Sequence, residues 1–394
     1  MLFCRSSLVL LCALFCAALA DAAPFVPTDD AQILETLRDR PADAAVRDLR
    51  AMGSELRRNP RNLELALRVA RRYIEQSRAE ADPRYLGYAQ AALAPWWNLL
   101  QPPAPVLVLR ATIRQSNHHF DAALADLAEV LKQQPGNAQA WLTRAVIQQV
   151  RGEYAEARQS CERLRGIVGE LVLAMCISNI ASLNGQAASA YDNLRAIFGH
   201  SDAASDAEKV WVLSALGEMA VRLGKVEAAE RHFRDAIALD HPDSYLKGAY
   251  ADFLLDQERP AEVVELLKDE MRADALLLRL ALAEQATGSA DLPQHIAALK
   301  ARFEASRMRG DTVHRREEAR FTLHLLRNAE AALQLARANW EVQREPADAR
   351  IFLEAAAAAG KPAAAKPVLD WLAQTGLEDV NLAPLAQRLQ NRAP

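Results

Sequence analysis

A few short runs in this sequence carry side chains able to do chemistry. His118-His119 offers two imidazoles, His314-Arg315-Arg316-Glu317-Glu318 a mixed-charge run, and Asp29-Asp30 and Glu317-Glu318 paired carboxylates. General acid/base work needs two groups that converge on one reacting atom. Neighbours in sequence diverge on a helix or at a terminus, so neither carboxylate pair predicts an acid/base site. Opposite charges three and four residues apart are also what a solvent-facing helix uses for pairing, and 314–318 is read that way. His118-His119 falls at a turn and is read as a solvated polar corner. There is no HExxH, no phosphate-cradling glycine loop, no GxSxG elbow and no dinucleotide fingerprint. No catalytic residue, cofactor or metal ligand is therefore assigned, and an enzyme would need a site assembled from several helices.

Cysteine chemistry depends on where the chain resides. Met1 to Ser7 carries one charge, Arg5, and is followed by the apolar run Leu8 to Ala20, which ends Ala18-Leu19-Ala20 before Asp21. Charge, apolar core and small-residue cleavage site in that order predict a secretory signal over residues 1–20. The run is too short to span a bilayer comfortably, and no second span follows it. Cleavage removes Cys4, Cys12 and Cys16 and shifts the formal charge from -4 to -5. Cys161 and Cys176 remain, at a spacing that is neither a zinc nor a CxxC pattern. An oxidising compartment permits a bridge between them; two buried thiols are the alternative.

The elements that would position these groups are helices, and they repeat. With a shift of 34 residues, Leu107 falls over Trp141, Ala111 over Ala145, Phe120 over Tyr154 and Ala123 over Ala157. Each copy has helical apolar spacing, a break at Asn117-His118-His119 or Arg151-Gly152-Glu153, and a second helical run. Small alanines let two helix backbones approach, while the large residues fill the wedge beside them. Val210 to Asp243 is another copy, with Leu213, Leu216-Gly217, Ala220, a Gly224 turn, Ala229, Phe233, Ala236 and Pro242.

These residues resemble the tetratricopeptide repeat family, whose first helix carries Trp, Leu-Gly and Tyr and whose second carries Ala, Phe and a closing Pro. The likeness is firmest from about 104 to 243 and fades after 270, where helices are expected over Leu276–Gln285, Leu292–Arg307, Arg315–Leu326, Ala329–Gln343 and Ile351–Ala359 but their spacing no longer tracks 34. The expectation is an all-α superhelix of about seven or eight antiparallel pairs. Its parts are a leader (1–20), an N-terminal cap (21–58), tetratricopeptide-like repeats (59–270) and degenerate repeats with a C-terminal cap (271–394).

In this family the first helix of each pair lines the concave surface. The resemblance therefore nominates, as a partner-binding groove, Arg71, Gln115, Leu142, Gln149, Met175, Asn179, Trp211, Glu218, Arg222, Tyr245, Asp252 and Asp256. This lining is mixed, neutral in the middle and acidic toward Asp252 and Asp256. The lysine-and-asparagine clamp that some members close on a chain-terminal carboxylate is absent around Asn179. A second aromatic surface, Tyr85 and Tyr88 with Trp96-Trp97, either fills the gap left by the longer connection before it or grips a partner chain or a glycan.

Composition agrees. Hydrophobic residues at 51% can bury a large core, and a near-neutral balance gives no net drive toward nucleic acid or an anionic membrane. The expected function is a non-enzymatic scaffold of the bacterial cell envelope, periplasmic, holding a protein or peptide partner for assembly or maturation of an envelope complex. The alternatives are a cell-wall enzyme with a site between helices and a small-molecule or metal-binding module. An open groove favours the first, and a closed pocket with converging acids the others.

Overall fold

The computed structural model describes residues 44–311 and 313–392. The signal-like leader lies outside them. Residues 49–394 form one compact unit. Among the described residues every regular element is helical: α1 (Ala44–Arg58), α2 (Leu63–Glu80), α3 (Arg84–Ala92), α4 (Ala94–Trp97), α5 (Ala104–Ser116), α6 (Phe120–Gln133), α7 (Ala138–Val150), α8 (Tyr154–Glu162), α9 (Glu170–Ser182), α10 (Ala187–Phe198), α11 (Asp206–Arg222), α12 (Val226–Ala238), α13 (Ser244–Asp256), α14 (Pro260–Leu267), α15 (Asp274–Thr287), α16 (Leu292–Met308), α17 (Arg315–His324), α18 (Ala329–Trp340), α19 (Pro346–Ala358), a 3-10 turn (Pro362–Ala365), α20 (Lys366–Thr375) and α21 (Ala383–Gln390).

Helix starts follow from side-chain caps. Asn62, Asn137, Asp243 and Asn328 each accept from a backbone N–H three residues on, and Ser205 with Glu208 forms a reciprocal box. Within each pair the chain reverses through one left-handed residue. Gly152, Gly185, Gly224, Gly288 and Gly360 hold this place, and in the other pairs Ala81, His118, Glu258 and Arg327 adopt φ between 49 and 56°. The reversals recur every 30–39 residues through residue 360. The helix-pair architecture thus continues past 270, where the apolar spacing had faded, and nine pairs are present among the described residues. The last uses the 3-10 turn and α20 as its second arm.

Paired positions from the 34-residue shift do the packing predicted for them. Ala111, Ala123, Ala145 and Ala157 are buried, and Phe120 and Tyr154 fill the adjacent wedge. The closest approach is at Gly217, where a Cβ would sit 2.6–2.9 Å from three atoms of the fully buried Phe233 ring. Cys161 and Cys176 are joined, with an S–S distance of 1.98 Å and Cα atoms 5.7 Å apart, tying α8 to α9. The aromatic run is self-packed: Tyr73, Tyr85 and Tyr88 form one ring cluster, and the Trp97 carbonyl accepts from Arg110, whose guanidinium also grips buried Asp126 at 2.7 Å.

The array coils back on itself. Ser244 of α13 donates to the Ala79 carbonyl of α2 at 2.8 Å. Farther on, the C-terminal pairs cross to the helices around the disulfide, where one apolar cluster joins Tyr154, Cys161, Leu164 and Ile180 to Trp340, Phe352, Val368 and Trp371. Backbone contacts seal that junction: Arg344 N–H to Val150 carbonyl at 2.7 Å and Val380 N–H to Arg222 carbonyl at 2.9 Å, with the Glu378 carboxylate accepting from Ala187 N–H at 2.6 Å.

Two outcomes are expected. Gly217→Ala lowers stability by about 1–3 kcal/mol in chemical denaturation, because the ring it meets cannot retreat from a filled core; no change in midpoint would mean that α11 and α12 can separate there. Thiol counting on the denatured, unreduced protein yields no free sulfhydryl from Cys161 and Cys176, whereas two per chain would exclude the bridge.

Candidate functional site

The coil leaves a cavity of about 520 Å³ between the middle and C-terminal helix pairs. One wall is built by the first helices of the middle pairs. Successive helical turns put Glu218 and Arg222 of α11, and Tyr245, Asp252 and Asp256 of α13, on the inner face, next to Gln149 of α7 and Asn179 of α9. The facing wall comes from Arg279 of α15, Arg316, Glu317, Arg320 and His324 of α17, Glu345, Arg350 and Glu354 of α19, and Asp379 before α21.

Most of these charges pair across the space. Asp252 receives Arg279 and Arg320, each at 2.6 Å; burial opposes its ionisation, but the two guanidiniums prevail and hold its pKa at about 2. Asp256 is gripped by both terminal nitrogens of Arg350 at 2.7 Å, a bidentate pair joining residues 94 apart. Arg350 also reaches Glu354 at 2.9 Å, and His324 Nε2 lies 3.0 Å from the same carboxylate. There too burial is outweighed, by His324 and Arg350, and Glu354 stays near 2. Arg316 lies among Glu317, Glu345 and the deeply buried Asp348, at 3.2, 3.1 and 3.6 Å. Burial pushes Asp348 upward, although Asn339 and Gln343 donate to it.

The end of the cavity nearest α11 differs. Tyr245 OH donates to Glu218 at 2.6 Å, and 63% of the Tyr245 surface is open, facing the cavity. Desolvation holds the Glu218 carboxyl above its usual range despite Tyr245 and Arg222 nearby. Asp379, also raised by burial, accepts from the Asn381 and Leu382 amides. Arg222 is 9% exposed; it donates to Ser182 at 2.8 Å, while its Nε has no partner. Asn179 donates to Gln149 at 3.0 Å, closing that edge.

Seven of the twelve nominated groove residues therefore meet at one cavity: Gln149, Asn179, Glu218, Arg222, Tyr245, Asp252 and Asp256. The other five do not line it. Met175 is 2% exposed and packs in the core, because α9 is covered on both sides by neighbouring pairs. Leu142 is half-buried against the cluster that the C-terminal pairs complete. Arg71 is exposed on α2, Gln115 half-buried on α5, and Trp211, 39% exposed, sits nearly two turns before Glu218. The C-terminal wall was not nominated. Its sequence signal is the four-residue spacing of Arg316, Arg320 and His324 and of Arg350 and Glu354. A solvent-facing helix carries the same pattern, and 314–318 was read so; instead Arg316 and Glu317 face the cavity, and buried Glu318 pairs with Arg307. The His118-His119 corner divides: His119 is exposed, whereas His118 is half-buried and stacked on Phe120. Burial, then Arg316, lowers the His118 pKa to about 4, with His314 and Asp311 also near. Among the described residues no group of three or more His, Cys, Asp or Glu side chains converges in a metal-holding arrangement, and no helix is long and apolar enough to cross a membrane.

The tetratricopeptide repeat family model matches residues 108–169. No curated protein sequence matches the chain. Among solved structures, the chain is similar to a tetratricopeptide repeat protein from Parabacteroides merdae (14% identity, 64% of this chain and 98% of that one, TM-score 0.37). It is also similar to the human IFIT1 dimer with PPP-AAAA (12%, 88% and 87%, 0.43) and to yeast Tom70 (10%, 88% and 95%, 0.25). The 108–169 match takes in most of α5 and all of α6 to α8, where the 34-residue shift aligns best, so this segment carries tetratricopeptide repeats within an all-α array of helix pairs.

Proposed function

We propose that this protein is an exported scaffold of the bacterial cell envelope that holds a short segment of a protein partner in its central cavity, for assembly or maturation of an envelope complex. The helix-pair fold supports a protein-interaction scaffold. The observation that carries the finer reading is convergence: seven first-helix positions and the C-terminal wall meet at one space of about 520 Å³, a size suited to a few side chains and too small for a folded domain. Export rests on the charge, apolar core and Ala18-Leu19-Ala20 order of the leader.

A partly enclosed, acid-lined space also bears on an enzymatic reading, and one pair favours it. Glu218, with its raised pKa and its hydrogen bond to Tyr245, is the kind of carboxyl that exchanges protons. Asp252, Asp256 and Glu354 do not share this character, because arginines hold them ionised or tightly paired. Asp379 is raised by burial too, but its carboxylate accepts from the Asn381 and Leu382 amides, which favour the ionised form, and the scaffold reading is preferred.

Two experiments test this. Fractionation with N-terminal sequencing is expected to recover the protein outside the cytoplasm with Asp21 first; a cytoplasmic chain retaining its leader overturns export. A photo-crosslinking residue placed at Tyr245 is expected to trap an envelope protein, whereas the same probe at outward Arg195 is not. Trapping from Arg195 alone moves the interface to the outer face, and cell-wall turnover by the purified protein, abolished by Glu218→Gln, would replace the scaffold with an enzyme.

A further inference from the structure

We infer that the end of the cavity formed by Glu218, Tyr245 and Asp379 is a subsite for an organic cation, the side chain of a lysine or arginine on the partner segment. This rests on the reading that the cavity receives such a segment. Seven carboxylates and only five arginines line the space. Arg279, Arg320 and Arg350 are taken by Asp252, Asp256 and Glu354, and Arg316 is shared by Glu317, Glu345 and Asp348. Glu218 feels Arg222 and Arg316, and Asp379 feels Arg222 and Arg350, but neither carboxylate is within ion-pair distance of any of them. Arg222 is turned into the wall toward Ser182, and its orphaned Nε shows that the carboxylates beside it have not captured it.

The geometry at this end suits an ammonium or guanidinium. Tyr245 occupies one Glu218 oxygen, leaving the other without a protein partner, and its exposed phenol ring lines the same space, where an aromatic face adds to the attraction for a cation. A divalent metal wants several oxygen ligands converging on one point, which the described residues do not offer here. Two desolvated carboxyls held above their usual pKa range are in a state that an incoming cation would relieve. Charge complementarity therefore favours a basic side chain over an acidic or neutral one.

The test uses the full mature chain and four capped pentapeptides, Ala-Ala-X-Ala-Ala, with X as lysine, arginine, glutamate or norleucine, titrated by calorimetry. The lysine and arginine peptides are expected to bind at least about tenfold more tightly than the other two. Glu218→Gln should remove about tenfold of that affinity, while Arg71→Ala, outside the cavity, leaves it unchanged. Binding should also fade on acidification at a higher pH than an ordinary glutamate would give, since the raised pKa makes Glu218 lose its charge early as pH falls. Glu218→Gln keeps the Tyr245 contact and removes a disfavoured buried charge, so its melting temperature should not fall, which separates lost binding from lost fold. Equal binding of the glutamate or norleucine peptide, or lysine-peptide affinity within roughly twofold in Glu218→Gln, overturns the inference. If such binding is abolished by Ala249→Trp, which fills the cavity, the segment-holding reading survives without its cation. If no peptide binds at about 5 mM, both fall.

Discussion

The carboxylates of α13 face a confined space only partly open to bulk water, and a charge in that position is stabilised by local neutralisation or by taking up a proton. Asp252 and Asp256 are neutralised by guanidiniums that arrive from α15, α17 and α19, as many as 94 residues away in sequence. The cavity depends on this constraint. Without Arg279, Arg320 and Arg350, the inner face of α13 would be tolerable only in an open groove bathed by solvent. With them, the C-terminal pairs can fold over the concave face and narrow a groove into a two-walled cavity. The apolar cluster from Tyr154 to Trp371 supplies the area for that closure, and the ion pairs fix which charge meets which.

Much of this was legible in the sequence, for reasons that also explain where legibility stopped. A 34-residue shift reports contacts between each helix and its immediate neighbours: Ala111, Phe120 and Ala123 recur because every pair must solve the same crossing. Gly217 is readable on the same ground, since the crossing admits no Cβ beside Phe233. Past residue 270 the apolar period fades while the left-handed turn persists at Arg327 and Gly360. Gly288 and Gly360 keep the glycine mark there, but Arg327 occupies the same conformation at a modest energetic cost and interrupts the series. Local repetition carries no information about how far the superhelix coils. The closure of the C-terminal pairs over α7 to α13, and the charged wall they contribute, are for that reason absent from any repeat-based reading.

The extent of coiling also separates the nominated residues that reach the cavity from those that do not. Inner-face positions from α7 to α13 converge because the coil places them opposite α15 to α19. Arg71 and Gln115 belong to earlier pairs, which meet the later ones at other residues, Ala79 and His118, and do not bring these two to the cavity, and Met175 occupies a face that the next pair covers. Family register thus predicts which side of a helix is concave, and superhelical pitch decides whether that side encloses anything.

A site held together by internal ion pairs has little freedom to vary its charge without loosening its own walls. Neutralising Asp252 would strand Arg279 and Arg320, and neutralising Asp256 would release Arg350 from the α13 wall, so recognition built on those residues would compete with closure. Glu218 and Asp379 are free of that conflict because neither is joined to a bridging arginine. Their desolvated charge is a local cost that the array can bear, since the Arg350 bridge and the apolar junction hold the walls together independently of them. Strain of this kind belongs at a binding site rather than in a structural lattice: the groups that make the cavity stable are the satisfied ones, and the groups able to gain from a ligand are those left unsatisfied at its α11 end.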